Sequence, residues 1–474
     1  MSREIEDENY MRRNMTFDTE KLHEQDRHWI HPWENLKTVR KAERTIIAQS
    51  EGIYLHDSDG NKLIDGPAGM WCVNIGHGRE EMAQAISEQV MRMPYYSPWS
   101  LGNVPAAQLA EKLAELAPGD LNNVFFTTGG STSVDSALRF MMYFNNCLGR
   151  PEKKHIISRA DAYHGSTFLG ASCSGKARDK NLMDFERDLV HLLPTVHPYR
   201  RPDDMSIEAF CDEKIADLEN KILEIGPDKV GAFIAEPILA SGGVIIPPPG
   251  YHRRTLEVCR KYDVLYISDE VVTAFGRLGH WFASEDVYDI VPDIILSAKG
   301  LTSGYMPLGA VLISDRLLDT LGGLEANISY FASGFTYSGH PVAAAAALKN
   351  IEIIEREGIL ENVREIAPYF QARLKELEDI DMVGEVRGEG LMACIECVNN
   401  KQTKNPLTLD YEVGSRIDAH CQENGLIVRP IVNMCVMSPP LIITRPQIDE
   451  MVEILRNGIT ESMEDLHKEG LWKG

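Results

Sequence analysis

The chain has 474 residues, 43% of them hydrophobic and 25% charged, an ordinary globular profile that excludes disordered, collagen-like and fibrous chains. That length holds two or three packing units around a large core. With 71 acidic against 48 basic residues the formal net charge is −23, which repels phosphate backbones and anionic lipid, so neither nucleic acid nor a membrane is expected as a partner.

Nine scattered cysteines, an odd number, read as core thiols of a protein kept in a reducing cytoplasm. Cys394 and Cys397 sit in the apolar run LMACIECV. Residues three apart in a strand face opposite ways, so the pair makes a poor metal clamp, and no metal is expected. The first 21 residues, MSREIEDENYMRRNMTFDTEK, lack the apolar segment of a signal peptide. No apolar stretch reaches the roughly 18 residues of a spanning helix. A cytoplasmic, membrane-free protein is the expectation.

Along the chain, residues 1–40 read as a polar arm carrying late aromatics (Trp29, Trp33). The run IIAQSEGIYLHDSDGNKLID predicts two short strands joined at Asp-Gly-Asn. Residues 78–117 carry a helical pattern closed by Pro118-Gly119. Short apolar runs then alternate with turns and helices: NNVFFTTGGS, KHIISRADAYHG, KVGAFIAEPI, DVLYISDE, DIILSAKG and LGAVLIS. This grammar predicts an α/β fold with a parallel, doubly wound sheet, whose functional groups gather outside the carboxyl ends of the strands. Beyond about residue 340, long helices (PVAAAAALKNIEIIEREG, VREIAPYFQARLKELE) and the strand candidates VGEVRGEGLMACIEC and LIVRPI predict a smaller α+β unit.

Four features fall at strand ends or turns. Thr128-Gly129-Gly130-Ser131 opens a helix, where free N–H groups form an anion site, although a plain capped turn looks the same. Asp269 ends DVLYISDE and suits a metal ligand, a general acid, a helix cap or the partner of a buried cation. Lys299 ends DIILSAKG, where burial would free its amine to form a Schiff base, or where it could reach out to the surface. Arg429 lies inside the apolar run GLIVRPIVNM, where a guanidinium pairs with a carboxylate of the protein or of a ligand. Together, a phosphate cradle, an aspartate and a Schiff-base lysine meet the three requirements of pyridoxal 5′-phosphate.

The strings TTGGSTSVDSALR, YHGST, AEPILASGGV, SDEVVTAFGRLG, LSAKGLTSGYMPLGAV, GFTYSGHP and GLIVRP resemble, in order and over almost the whole chain, the class III aminotransferases of the ω-transaminase (amine–pyruvate) kind. The resemblance implies fold type I of the pyridoxal-phosphate-dependent transferases. Its expected division is residues 1–70 as N-terminal arm and part of the small domain, 71–335 as large domain, and 336–474 as C-terminal small domain. It implies Lys299 as covalent attachment point and proton shuttle, Asp269 at the pyridinium nitrogen, and Gly130 and Ser131 at the phosphate. Tyr163 and Val271 would cover the two ring faces, with Glu236 supporting the pocket from behind. Thr336 would reach the phosphate of a neighbouring subunit in a homodimer or tetramer. Trp71, Tyr163 and Arg429 would meet the substrate, while His164 would be structural.

Two departures bear on the substrate. Class III enzymes that use 2-oxoglutarate carry an arginine where this chain has Ser166, and a gating glutamate where it has Ser241. A dicarboxylate needs two cationic anchors, and Arg429 is the one candidate legible here. The resulting expectation is a ping-pong transfer from an ω-amino acid or amine to pyruvate, giving alanine. An aminomutase, racemase, decarboxylase or 2-oxoglutarate-dependent aminotransferase would share the cofactor residues. The usual glutamate after Gly-Ser is here Thr132.

Overall fold

The N-terminal run expected as two strands folds as three, β1 (Ile47–Glu51), β2 (Tyr54–Asp57) and β3 (Lys62–Asp65), paired antiparallel in that order. The additional turn falls at Gly52, whose φ of +60° a side chain would disfavour. The computed structural model describes residues 16–324, 330–407 and 412–472, so residues 1–15 of the expected arm, 325–329, 408–411 and 473–474 lie outside it. The helical pattern of 78–117 is two helices, Glu80–Arg92 and Val104–Leu116. Pro94 and Pro98 lie between them and cannot donate to a helical ladder. Asn103 caps the second helix, its side chain accepting from Ala106 N.

The central sheet contains β4 (Asn123–Thr127), β5 (His155–Arg159), β6 (Val190–Leu193), β7 (Val230–Ala235), β8 (Leu265–Asp269), β9 (Ile294–Ser297) and β10 (Gly309–Ile313), in the spatial order β4-β10-β9-β8-β7-β5-β6. Neighbours from β9 to β6 run parallel, whereas β10 is antiparallel to both β9 and β4. The sheet is thus mostly parallel with one reversed strand. Helices cover both faces. Ile234 and Ile267 pack with Val134, Leu138 and Met141 of the helix Gly130–Cys147. Phe233 and Tyr266 face the helices Ile207–Ile225 and Tyr251–Lys261. Burial on both sides is why β7 to β10 read as continuous apolar runs, each large side chain contributing about 1.5–3 kcal/mol.

The C-terminal part holds β11 (Val383–Glu389), β12 (Met392–Asn400), β13 (Asn405–Pro406), β14 (Leu426–Ile427), β15 (Arg429–Ile431) and β16 (Met434–Met437). VGEVRGEGLMACIEC is a hairpin turning at Gly390, and LIVRPI breaks at Val428 into β14 and β15. An antiparallel sheet orders β11-β12-β16-β15, while β14 pairs parallel with β3, so the N-terminal strands share a sheet with the C-terminal part. The helix Pro341–Arg356 packs on Glu80–Arg92 and Val104–Leu116. Cys394 and Cys397 are buried free thiols in different apolar clusters, on opposite faces of β12. Among the described residues no helix is long and apolar enough to cross a membrane.

Arg277, fully buried, ties these parts together. Its guanidinium donates to Leu391 O at 3.0 Å, Pro439 O at 2.6 Å and Asn74 Oδ1 at 3.0 Å. Burial pulls its pKa down to about 9.

Candidate active site

The parallel strands end on one side of the central sheet, and a cavity opens there. It is lined by Gly130, Ser131, Tyr163, Glu236, Asp269, Val271 and Lys299, the seven cofactor residues named from sequence other than Thr336. Val134, His164, Gly165, Ser241 and Val272 complete the lining.

Each side chain is placed by the end of a strand. Two residues separate β4 from the helix Gly130–Cys147, whose first N–H groups have no partner within the helix. Thr132, in place of the family glutamate, closes the turn on itself: its hydroxyl donates to Gly129 O at 2.8 Å and accepts from Thr128 N at 3.2 Å. Ser131 Oγ accepts from Ser166 N at 3.1 Å, pinning the loop after β5 to the helix. A Cβ on Gly165 (φ +112°) would lie 2.5 Å from Ser131 Oγ and 2.7 Å from its Cα. Only glycine allows that approach.

Glu236, just past β7, accepts from Tyr163 N at 2.9 Å and Ala240 N at 3.2 Å. Burial raises its pKa. Asp269, the last residue of β8, accepts through Oδ2 from His164 Nδ1 at 2.7 Å and through Oδ1 from Val271 N at 3.2 Å. A carboxylate only accepts, so the imidazole proton is assigned to Nδ1. His164 Nε2 is buried with no partner among the described residues.

Lys299 follows β9 and opens a single 3₁₀ turn with φ +43°, a conformation that costs a non-glycine residue about 1–3 kcal/mol and is found where function demands it. Nothing among the described residues is hydrogen-bonded to its amine. Burial pulls its pKa down, partly opposed by the charges of Cys72 and Asp269, which favours the neutral amine a nucleophile needs.

Tyr163 is walled on its outer side. Its hydroxyl lies 3.1 Å from Ser166 Oγ, and its ring centre is 5.9 Å from that of Trp33, so the N-terminal arm reaches the site of its own chain. Burial raises the Tyr163 pKa. Arg429, first residue of β15, is half-buried, with Nε unbonded and no carboxylate in contact among the described residues. It stands within electrostatic reach of both Tyr163 and Lys299.

Three residues named from sequence, Arg429, Trp71 and Thr336, are not in the lining. Trp71 is buried in the apolar cluster of Ile238, Val244 and Ile431. Thr336 is exposed, its carbonyl accepting from Tyr95 Oη at 2.8 Å. Conversely, the sequence alone points to a structural rather than catalytic His164 and gives no sign of Lys176. The Lys176 amine sits 5.4 Å from the Tyr163 ring centre, with no ion pair among the described residues.

The class III aminotransferase family profile matches residues 38–459. The chain belongs to the class III aminotransferases. It is 43% identical to the putrescine–pyruvate aminotransferase of Pseudomonas aeruginosa over 92% of this chain and 94% of that one. It is 39% identical to a mitochondrial γ-aminobutyrate transaminase of Oryza sativa over 88% of this chain and 82% of the other. Among solved structures, an (S)-enantioselective ω-transaminase from Thermomicrobium roseum superposes with TM-score 0.89 at 37% identity, covering 95% and 99% of the two chains. The ω-transaminase of Pseudomonas jessenii in complex with PMP superposes with TM-score 0.91 at 35% identity, over 94% and 99%. As in the rest of the family, this aminotransferase has the fold of pyridoxal-phosphate enzymes, and its cavity residues fit that group. An unbonded amine, a carboxylate and a helix N-terminus that glycines leave open converge on one space.

Proposed function

We propose that the protein is a pyridoxal-phosphate-dependent transaminase that moves an amino group from an amine or ω-amino acid to pyruvate, giving alanine, in a ping-pong reaction. The observation that carries this reading is Arg429, a half-buried cation left without a carboxylate among the described residues, within electrostatic reach of Lys299. Ser241 stands in the cavity where a glutamate would pair with such an arginine, and the Ser166 hydroxyl is turned to Tyr163. Arg429 is therefore ready for the single carboxylate of pyruvate.

Bound in the cavity, pyridoxal 5′-phosphate would supply the electron sink that lets the Cα–H bond of an amine break. Lys299 would hold it covalently and carry the proton between carbon centres as a neutral amine. Gly130 and Ser131 would offer their N–H groups to its phosphate, and Asp269, oriented by His164, would keep a proton on the ring nitrogen. Tyr163 and Val271 would cover the ring faces, and Glu236 would hold the Tyr163 backbone in place. Trp71 would stand behind the substrate side of the pocket.

Thr336, exposed in the single chain, would meet the phosphate of a neighbouring subunit, making a homodimer the catalytic unit. We further propose the division into 1–70, 71–335 and 336–474, supported by the three sheets. A cytoplasmic location is supported by nine free thiols. The test is the purified protein with pyruvate and a panel of amines. Alanine formation is expected, and comparable half-reaction rates with 2-oxoglutarate and pyruvate would overturn the acceptor assignment.

A further inference from the structure

Lys176 lies in the loop after the short helix Phe168–Cys173, on the outer side of Tyr163. Its surroundings do not neutralise it. Asp179, the nearest acid in influence, is held by Arg178 Nε at 3.2 Å, and both Glu236 oxygens accept backbone N–H groups. Lys176 and Arg429 are within electrostatic reach of each other, and neither has an ion pair among the described residues. Two uncompensated, half-buried cations thus stand near one tyrosine of the cavity lining, the Lys176 amine 5.4 Å from its ring centre and Arg429 within electrostatic reach of it. Holding them without an anion is costly, and an arriving anion relieves that cost.

We infer that Lys176 is a specificity-determining residue, a second cation beside Tyr163 that takes the distal anionic group of the amine donor. This inference rests on the amine–pyruvate reading and names its donor class: short primary amines ending in a carboxylate or sulfonate. Lys176 supplies the positive charge that Ser166 does not, from a position ten residues further along the chain. A diamine would instead press its second ammonium against Lys176 and Arg429. This chain therefore discriminates against putrescine, unlike what the name of its Pseudomonas aeruginosa relative describes.

The test compares wild-type holoenzyme with Lys176→Met and Lys176→Arg, using pyruvate with β-alanine, taurine, putrescine or 1-phenylethylamine. In Lys176→Met the KM for β-alanine and taurine is expected to rise roughly tenfold, the order of one charge-assisted hydrogen bond, with the effect in KM rather than kcat. The KM for putrescine is expected to fall, and Lys176→Arg to restore anionic donors. A second readout needs no turnover: calorimetric affinity for propane-1-sulfonate and propanoate should drop in Lys176→Met and recover in Lys176→Arg. Equal KM changes for all four donors, no change, or unaltered propane-1-sulfonate and propanoate affinity would each overturn the inference. If no amine yields alanine from pyruvate, the reaction assignment fails, and the calorimetric arm still decides on Lys176.

Discussion

His164 Nδ1 donates to Asp269 Oδ2 at 2.7 Å, a contact buried on all sides and made between the loop after β5 and the last residue of β8. The aspartate that would face a cofactor ring nitrogen is thus oriented from behind. Losing a hydrogen bond to a charged group costs about 1.5–3 kcal/mol, roughly ten- to a hundredfold in an equilibrium constant. His164→Phe should weaken cofactor retention by that factor, and His164→Asn, which keeps a donor, should recover part of it. Dialysis against cofactor-free buffer followed by absorbance spectroscopy measures both.

Lys299→Ala should abolish transamination while cofactor still binds through the helix N-terminus and Asp269. Lys299→Arg should also be inactive, since a guanidinium keeps the charge but is not a nucleophile. Steady-state alanine production is the measurement, and retained activity in either variant would remove Lys299 from its role.

Gly165→Ala forces a Cβ to within 2.5 Å of Ser131 Oγ at a φ of +112°. Either Ser131 or the loop has to shift, and both border the anion site. The expected outcome is a folded protein that purifies with little cofactor, read as the absorbance of pyridoxal phosphate released per chain on denaturation.

Lys176 gives a pH dependence whose sign follows from burial. Its pKa is drawn down to about 8, with Asp179 and Glu236 opposing the fall and Arg178 and Arg429 adding to it. Below pH 8 the lysine is charged both folded and unfolded, and its burial costs stability, at most about 3 kcal/mol. Above pH 8 the folded chain loses the proton first and the penalty fades. Lys176→Met should raise the thermal midpoint at neutral pH, with a gain that shrinks toward pH ~10. The KM for β-alanine should rise above pH 8 in the wild type and stay flat in Lys176→Arg.

Arg277→Met leaves Leu391 O, Pro439 O and Asn74 Oδ1 without their donor. At about 1–3 kcal/mol for each buried group left unpaired, the variant should be among the least stable single substitutions in the chain. Urea denaturation should show it as a large drop in midpoint.

The β runs and the cavity residues were legible because a chemically committed side chain at the end of an apolar run has few places to go. Asp269 and Lys299 announce themselves in that way. The direction of β10 was not legible, since GAVLI reads the same in either sense and its pairing is set by β4 and β9, far away in the chain. The break between Arg92 and Val104 was signalled by Pro94 and Pro98, which the apolar periodicity masked. Lys176 gave no signal: in SGKARDK it looks like one more solvated charge, and its significance comes from Tyr163 folding against it. The role of His164 is hidden for the same reason, because its partner lies 105 residues away.

The reversed strand has a further consequence. Because β10 runs antiparallel to both its neighbours, β4 and β9 point the same way, and their carboxyl ends stand two strand spacings apart, about 10 Å. The turn with the free N–H groups and the lysine are held at that interval by a strand that contributes no group of its own to either end. β10 works as a gauge block. A molecule that joins the anion site to the lysine has to match a length fixed by backbone hydrogen bonds, which no change of pocket side chain can alter.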